Sequence, residues 1–193
     1  MRGRAVLRLF RELILSVIMA IALFVLIDTV TVRSHVEGPS MEPTLHRGQM
    51  LLISRLGISG LTRQAFASVE AVANVQPDPA IPTRGTIVTF LHPYDSNEML
   101  VKRVIGLPGE EIAIKRGVVY INGQQLAEPY VVYHDAVSMS TIQIPEDSIF
   151  VMGDNRPESG DSRSFGPVPM DRMLGVVVLR YFPFTQLAWF MGN

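Results

Sequence analysis

The chain contains no cysteine. That one absence excludes disulfides, thiolate zinc sites, iron–sulfur clusters and cysteine nucleophiles, and it fits an oxidising exterior. Net charge is also scarce: 17 basic against 18 acidic residues leave a formal charge of -1. A nucleic-acid partner shows as a clustered basic excess, so none is expected. Internal repeats and low-complexity tracts are missing too. The most informative shortage is lysine, because only Lys102 and Lys115 stand among fifteen arginines. Arginine keeps its proton in any protein environment, whereas a desolvated lysine can release it, so the scarce residue type is the one able to serve as a base. A codon bias toward arginine would leave the same pattern with no function attached, and the surroundings of Lys102 decide between the two.

Residues 13–32, LILSVIMAIALFVLIDTVTV, carry a single charge at Asp28. At ~1.5 Å per residue, twenty helical residues span a ~30 Å hydrocarbon core, and the segment reads as a transmembrane anchor. Arg2, Arg4, Arg8 and Arg11 precede it. The excess of arginine holds residues 1–12 in the cytoplasm and places 33–193 on the outer side. A cleavable secretory signal is the rival reading, but the apolar run is long for one and DTVTVRSHVEGPS offers no A-x-A cleavage site. Asp28, near the outer end, reads as an interfacial residue.

Residues 33–193 suffice for one domain with its own core. Short β-branched runs at 50–54, 86–90, 99–106, 111–115, 117–121, 140–144, 148–152 and 175–182 are separated by Gly, Pro and Asn, with Asn122-Gly123 as a tight-turn dipeptide and 115–117 as a second turn. No βαβ alternation occurs. The expected class is therefore mainly β: antiparallel coiled sheets or a partial barrel behind an N-terminal transmembrane helix. Residues 61–74 break the pattern, with Leu61, Ala65, Val69 and Val72 at helical spacing. An amphipathic helix on the bilayer, a mobile insertion and packing on the sheet all fit.

Chemistry concentrates in three segments. In EGPSMEPTLHRGQ (37–49), Gly38, Pro39 and Pro43 fix a turn presenting Ser40. In VKRVIGLPGE (101–110), strand alternation sends Lys102 and Val104 to one face and Val101 and Arg103 to the other, so an apolar face can hold the ammonium. In MGDNRPESGDSRSFGPVP (152–169), nine of eighteen residues are Gly, Pro, Asp or Asn, which suits a loop that hydrogen-bonds itself rigid.

Together these segments resemble the motif boxes of type I signal peptidases, membrane-bound serine proteases that remove signal peptides from exported proteins. The family's SMxPTL is met at 40–45, KRVxGxPGD at 102–110 with Glu110 for the final Asp, and GDNRxxSxDSRxxG at 153–166. The resemblance implies Ser40 as nucleophile and Lys102 as general base, with no cofactor and no metal. It implies that Ser159 orients the lysine amine and that Asp154, Arg156, Asp161 and Arg163 frame the site, Asp161 with Arg163 first of all as a structural pair. Where many members carry an oxyanion-stabilising serine, this chain has Gly38, which leaves the Ser40 backbone N–H as the surest donor. Thr86 stands where the family's RGDIVVF has Asp. Substrates with small residues at -1 and -3 are implied, with Met41, Ile87, Val88 and Phe90 as plausible pocket walls. The lipid bilayer is the second expected partner, with Trp189 and Phe190 read as grazing its interface, since 183–193 are too few to span it.

A Ser/Lys dyad needs no histidine. A free lysine, pKa ~10.4, is neutral in about one molecule in a thousand near pH 7.4, so burial must lower it by ~2 to 3 units. Other chemistries fit less well. Residues 38–42 end in Glu42 where a G-x-S-x-G elbow needs Gly. His35, His46, His92 and His134 lack metal spacing, although a triad through His35 or His46 stays formally open. A non-enzymatic binding module is a further alternative. The self-cleaving repressor-type peptidases share Ser/Lys chemistry, but they are cytosolic and the anchor argues against them.

Overall fold

The computed structural model describes residues 2–55 and 82–190, with side chains of the first helix described for 10–25. The chain divides into two units, Met1–Val32 and Arg33–Asn193. The reading of 61–74 lies outside the described residues.

The first unit is helix α1, Arg2–Val30. Its long unbranched and aliphatic side chains suit a helix, and every described one is exposed. Among the described residues no helix is long and apolar enough to cross a membrane. The helix also stops earlier than the expected anchor. Thr31 and Val32 open strand β1, Thr31–His35, where a run of β-branched residues meets a sheet.

The second unit is built from short antiparallel strands. They are β2 (Met50–Ser54), β3 (Ile87–His92), β4 (Asp95–Gly106), β5 (Glu111–Lys115), β6 (Val118–Ile121) and β7 (Gln124–Gln125). After them come β8 (Met139–Gln143), β9 (Ser148–Met152), β10 (Val168–Pro169), β11 (Met173–Phe182) and β12 (Ala188–Trp189). The larger sheet runs β1-β2-β11-β3-β4-β9-β10, with β12 on β11, and the smaller runs β7-β6-β5-β8. Each ends at two edges, so among the described residues there are two open sheets and no closed barrel.

Local chemistry sets the hairpins. Arg116 and Gly117 have φ of 50° and 80° between β5 and β6, and Asn122 and Gly123 have 49° and 80° between β6 and β7. Positive φ at both central positions is what a two-residue hairpin with the natural strand twist requires.

Side-chain alternation then builds two cores from the same strands. Ile105, Phe150 and Met152 face a cluster with Ile112, Ile114 and Val119 of the smaller sheet. Val104, Ile149 and Val151, one residue out of phase, join Val88, Phe90 and Val176 on the other side. All five residues of β9 are consequently buried, and the loop that leaves it at Gly153 starts from a strand fixed on both faces.

Candidate active site

Ser40 sits on a loop closed at its base, where the Val36 amide donates to the Gln49 carbonyl (2.9 Å) and the Gly48 amide to the Val36 carbonyl (2.8 Å). Inside, the Glu42 amide donates to Pro39 O (3.0 Å) and the Leu45 amide to Met41 O (2.8 Å). Met41 and Leu45 are buried and pin the turn. The Ser40 amide hydrogen-bonds to no described residue.

Lys102 lies in the middle of β4, opposite Val88 of β3, with Leu100 and Val104 two positions away on the same face. It is 3% exposed, and its Nζ is 2.7 Å from Ser40 Oγ. Burial pushes the amine down to about 8, against opposing pulls from Asp161, Glu98 and Asp154, while Arg163 pushes the same way as burial. Removing the ammonium from water disfavours its charge, and the apolar strand face is the physical cause.

The 153–166 loop grips the serine from the other side. The Asn155 amide donates to Ser40 O (3.0 Å) and Asn155 Nδ2 to Pro39 O (3.3 Å). Gly153 is an obligatory close approach, since a Cβ there would lie 2.3 Å from Ser159 Oγ and 2.4 Å from Ser40 O. Asp161 is fully buried. It accepts the Gly153 amide (3.0 Å) and both Arg163 Nε and Nη2 (2.8 Å each), and it caps the short helix α2, Ser162–Phe165.

The structure brings Ser40 and Lys102 together and pairs Asp161 with Arg163. Asp154 and Arg156 do not pair with each other. Asp154 takes Arg103 (2.8 and 2.6 Å) and the Thr44 hydroxyl (2.5 Å). Arg156 takes Glu128 (2.5 and 3.2 Å) and donates to Gly153 O (3.1 Å). Ser159 Oγ is buried without a hydrogen-bond partner, so the expected bond to the lysine amine is not made here. Arg103, Thr44, Glu128 and Asn155 were missed as site residues. Glu110, at the family's Asp position, accepts from Arg84 Nη2 (2.6 Å) and the Leu107 amide (2.8 Å). The Thr86 hydroxyl meets that of Thr83 (3.0 Å).

A cleft of about 950 Å³ opens over the dyad between 33–41 and 95–102. Met41 lines it, together with Val36 and Leu100. Ile87, Val88 and Phe90 do not, and this corrects the expected pocket walls: they are 2%, 0% and 0% exposed. Val88 and Phe90 instead pack into the cluster with Val104, Ile149, Val151 and Val176. Among the described residues no group of three or more His, Cys, Asp or Glu could hold a metal ion, and no described histidine is bonded to Ser40.

A serine hydroxyl 2.7 Å from a buried lysine, beside a loop rich in carboxylates, puts a hydroxyl and a candidate base within proton-transfer reach. Residues 10–182 match the family described as signal peptidase, peptidase S26. The chain is similar to the probable signal peptidase I-2 of Synechocystis sp., 33% identical over 94% of this chain and 76% of that protein. It is similar also to the signal peptidase I of Bacillus caldolyticus, 34% identical over 80% of this chain and 81% of the other. The crystal structure of a signal peptidase I from Enterococcus faecalis superposes with a TM-score of 0.45 at 36% identity, over 49% of this chain and 95% of that one. The chain belongs to the signal peptidase family and is a type I signal peptidase.

Proposed function

We propose that this enzyme removes signal peptides from exported preproteins at the outer face of a bacterial cell membrane, with Ser40 as nucleophile and Lys102 as general base. The observation that carries the reading is the 2.7 Å contact between Nζ and Oγ, made by an amine that burial has brought down to about 8. At pH 7.4 that value leaves roughly one amine in five neutral, against about one in a thousand for a free lysine.

The neutral amine takes the Ser40 proton as Oγ attacks the scissile carbonyl. The resulting ammonium passes that proton to the departing amine as the C–N bond breaks, leaving an ester on Ser40. A water molecule deprotonated by the same amine then hydrolyses the ester. The Ser40 amide, which hydrogen-bonds to no described residue, is the donor for the oxyanion, and Ser159, a buried hydroxyl without a partner among them, is the group that takes up the amine's hydrogen bond during turnover.

The substrate fits the cleft as an extended strand. Among the described residues β9 pairs with β4 only from Arg103 onward, and β1 has β2 as its one strand neighbour. Both walls thus offer backbone donors and acceptors, the condition for strand addition. Val36, Met41 and Leu100, near the dyad, leave apolar room for small side chains at -1 and -3.

Attachment to the bilayer rests on residues 13–32, on the arginines before them, and on apolar side chains of α1 that are exposed from Phe10 to Val25. Phe184, Leu187 and Trp189, which are 78%, 56% and 62% exposed, add a further apolar surface.

The test is cleavage of a preprotein in detergent, with the cut mapped by mass spectrometry. Wild type is expected to cut once after a small residue, with kcat/KM rising through pH about 8 and falling about tenfold per unit below it. S40A and K102M are expected to be inactive while folded. A folded K102M that still cuts would overturn the dyad.

A further inference from the structure

Three arginines frame the dyad, and each has a partner outside the motif boxes. The Arg103 guanidinium, one residue from Lys102, lies over the Tyr130 ring at 4.1 Å. Arg156 is held by the Glu128 carboxylate (2.5 and 3.2 Å), and its amide donates to Tyr133 O (3.2 Å). Arg163, which already holds Asp161, reaches Asp135 through Nη1. All of these partners fall within EPYVVYHD, 128–135. Both carboxylate pairs are largely shielded from solvent: Glu128 is 10% and Asp135 14% exposed at the side chain, against 2% for Arg156 and 9% for Arg163.

The segment is itself tied down. Tyr130 OH donates to Glu128 Oε1 (3.2 Å), and Val131 is buried. At its far end the Gly117 amide donates to Val137 O (2.8 Å) and the Arg116 amide to Ser138 Oγ (3.0 Å). Gly117 packs so tightly that a Cβ would sit 2.2 Å from Asp135 O. The β5–β6 hairpin of the smaller sheet therefore holds one end of the segment, while the arginines around Ser40 and Lys102 hold its middle.

We propose that residues 128–135 form a positioning strap, in which Glu128, Tyr130 and Asp135 hold the three arginines that fix Gly153, Asp154 and Asp161 against the Ser40–Lys102 pair. The inference rests on the dyad reading. Its logic is geometric: Arg156 donates to Gly153 O, Gly153 abuts Ser40 O, and Asp161 holds the Gly153 amide. Slack in any of these contacts is passed to Oγ, and a displacement of ~1 Å at a reacting atom is enough to cost ~100-fold in rate. The strap is also electrostatic. The charged groups acting on Lys102 are Asp161, Glu98, Asp154 and Arg163. Without Asp135, Arg163 is left to neutralise Asp161 alone, which weakens the pull that favours the protonated amine.

The test compares D135N, D135E and E128Q with wild type, in the full chain in detergent, on a preprotein substrate. D135N is expected to lower plateau kcat tenfold or more with KM within twofold, and to move the acid limb of the pH profile to lower pH. D135E is expected to restore kcat to within threefold of wild type, and E128Q to lower kcat without changing KM. Folded D135N and E128Q with wild-type kcat and an unmoved limb would overturn the strap, as would a loss seen in KM alone. If D135N does not fold, E128Q is read by the same criteria; if neither folds, the segment is structural and the proposal falls. Activity in K102M would instead sink the dyad reading, which separates the two failures.

Discussion

Replacing Lys102 by methionine should stabilise this protein while abolishing its activity. Lys102 is 3% exposed, and its amine stands at about 8 where a solvated lysine stands at 10.5. Carrying a proton in that pocket therefore costs the folded state about 2.5 pH units at ~1.36 kcal/mol each, on the order of 3 kcal/mol. The unfolded chain keeps the proton up to 10.5, whereas the folded chain releases it near 8. Between those values the unfolded state binds more protons, so the stability of the wild type rises with pH there. Below about 8 the whole penalty is present; above 10.5 it has gone. Methionine is similar in length and matches the Val88, Leu100 and Val104 face, but it loses the contact with Ser40 Oγ, worth ~1 kcal/mol. The expected net gain at pH 7 is about 2 kcal/mol. Urea unfolding of both proteins in detergent, followed by circular dichroism at pH 7, 9 and 10.5, measures it. The gap should be widest at pH 7 and close as pH climbs through the 8 to 10.5 window. A methionine variant no more stable at pH 7, or a gap indifferent to pH, would refute the claim that Lys102 is held desolvated.

Gly153→Ala should cripple turnover, because its Cβ would lie 2.4 Å from Ser40 O and must push the serine or the loop aside; kcat is expected to fall ~100-fold with KM little changed, and activity within threefold of wild type would show that the turn yields without moving Ser40. Gly38→Ser should fold normally, since no atom lies within 4 Å of a Cβ built there. As a second oxyanion donor it is expected to raise kcat severalfold, below the ~100-fold or more of a fully preorganised one; an unchanged kcat in steady-state assays would show that this position does not face the oxyanion.

What could be read from the residues was what depends on neighbours in sequence. β2 at 50–54, β5 at 111–115 and β9 at 148–152 coincide with β-branched runs, and the Asn122-Gly123 turn follows from two residues that tolerate positive φ. β1 was hidden because TVTV prolongs an apolar helical stretch, and nothing local says where helix gives way to strand. Ser40 and Lys102, 62 positions apart, were legible only through the motif resemblance, since no period connects them. The charge partners show the limit most clearly. Alternation correctly placed Arg103 on the face opposite Lys102, but its partner depends on register: β4 pairs Arg103 with Met152, which sets the guanidinium beside the loop that carries Asp154 two residues later. Arg156 was consequently left to find Glu128, 28 positions away, on a segment with no motif of its own. The same register argument explains Val88 and Phe90. Both point to the same face of β3, and only the packing of Val104, Ile149, Val151 and Val176 against that face, which nothing local announces, takes it away from a substrate.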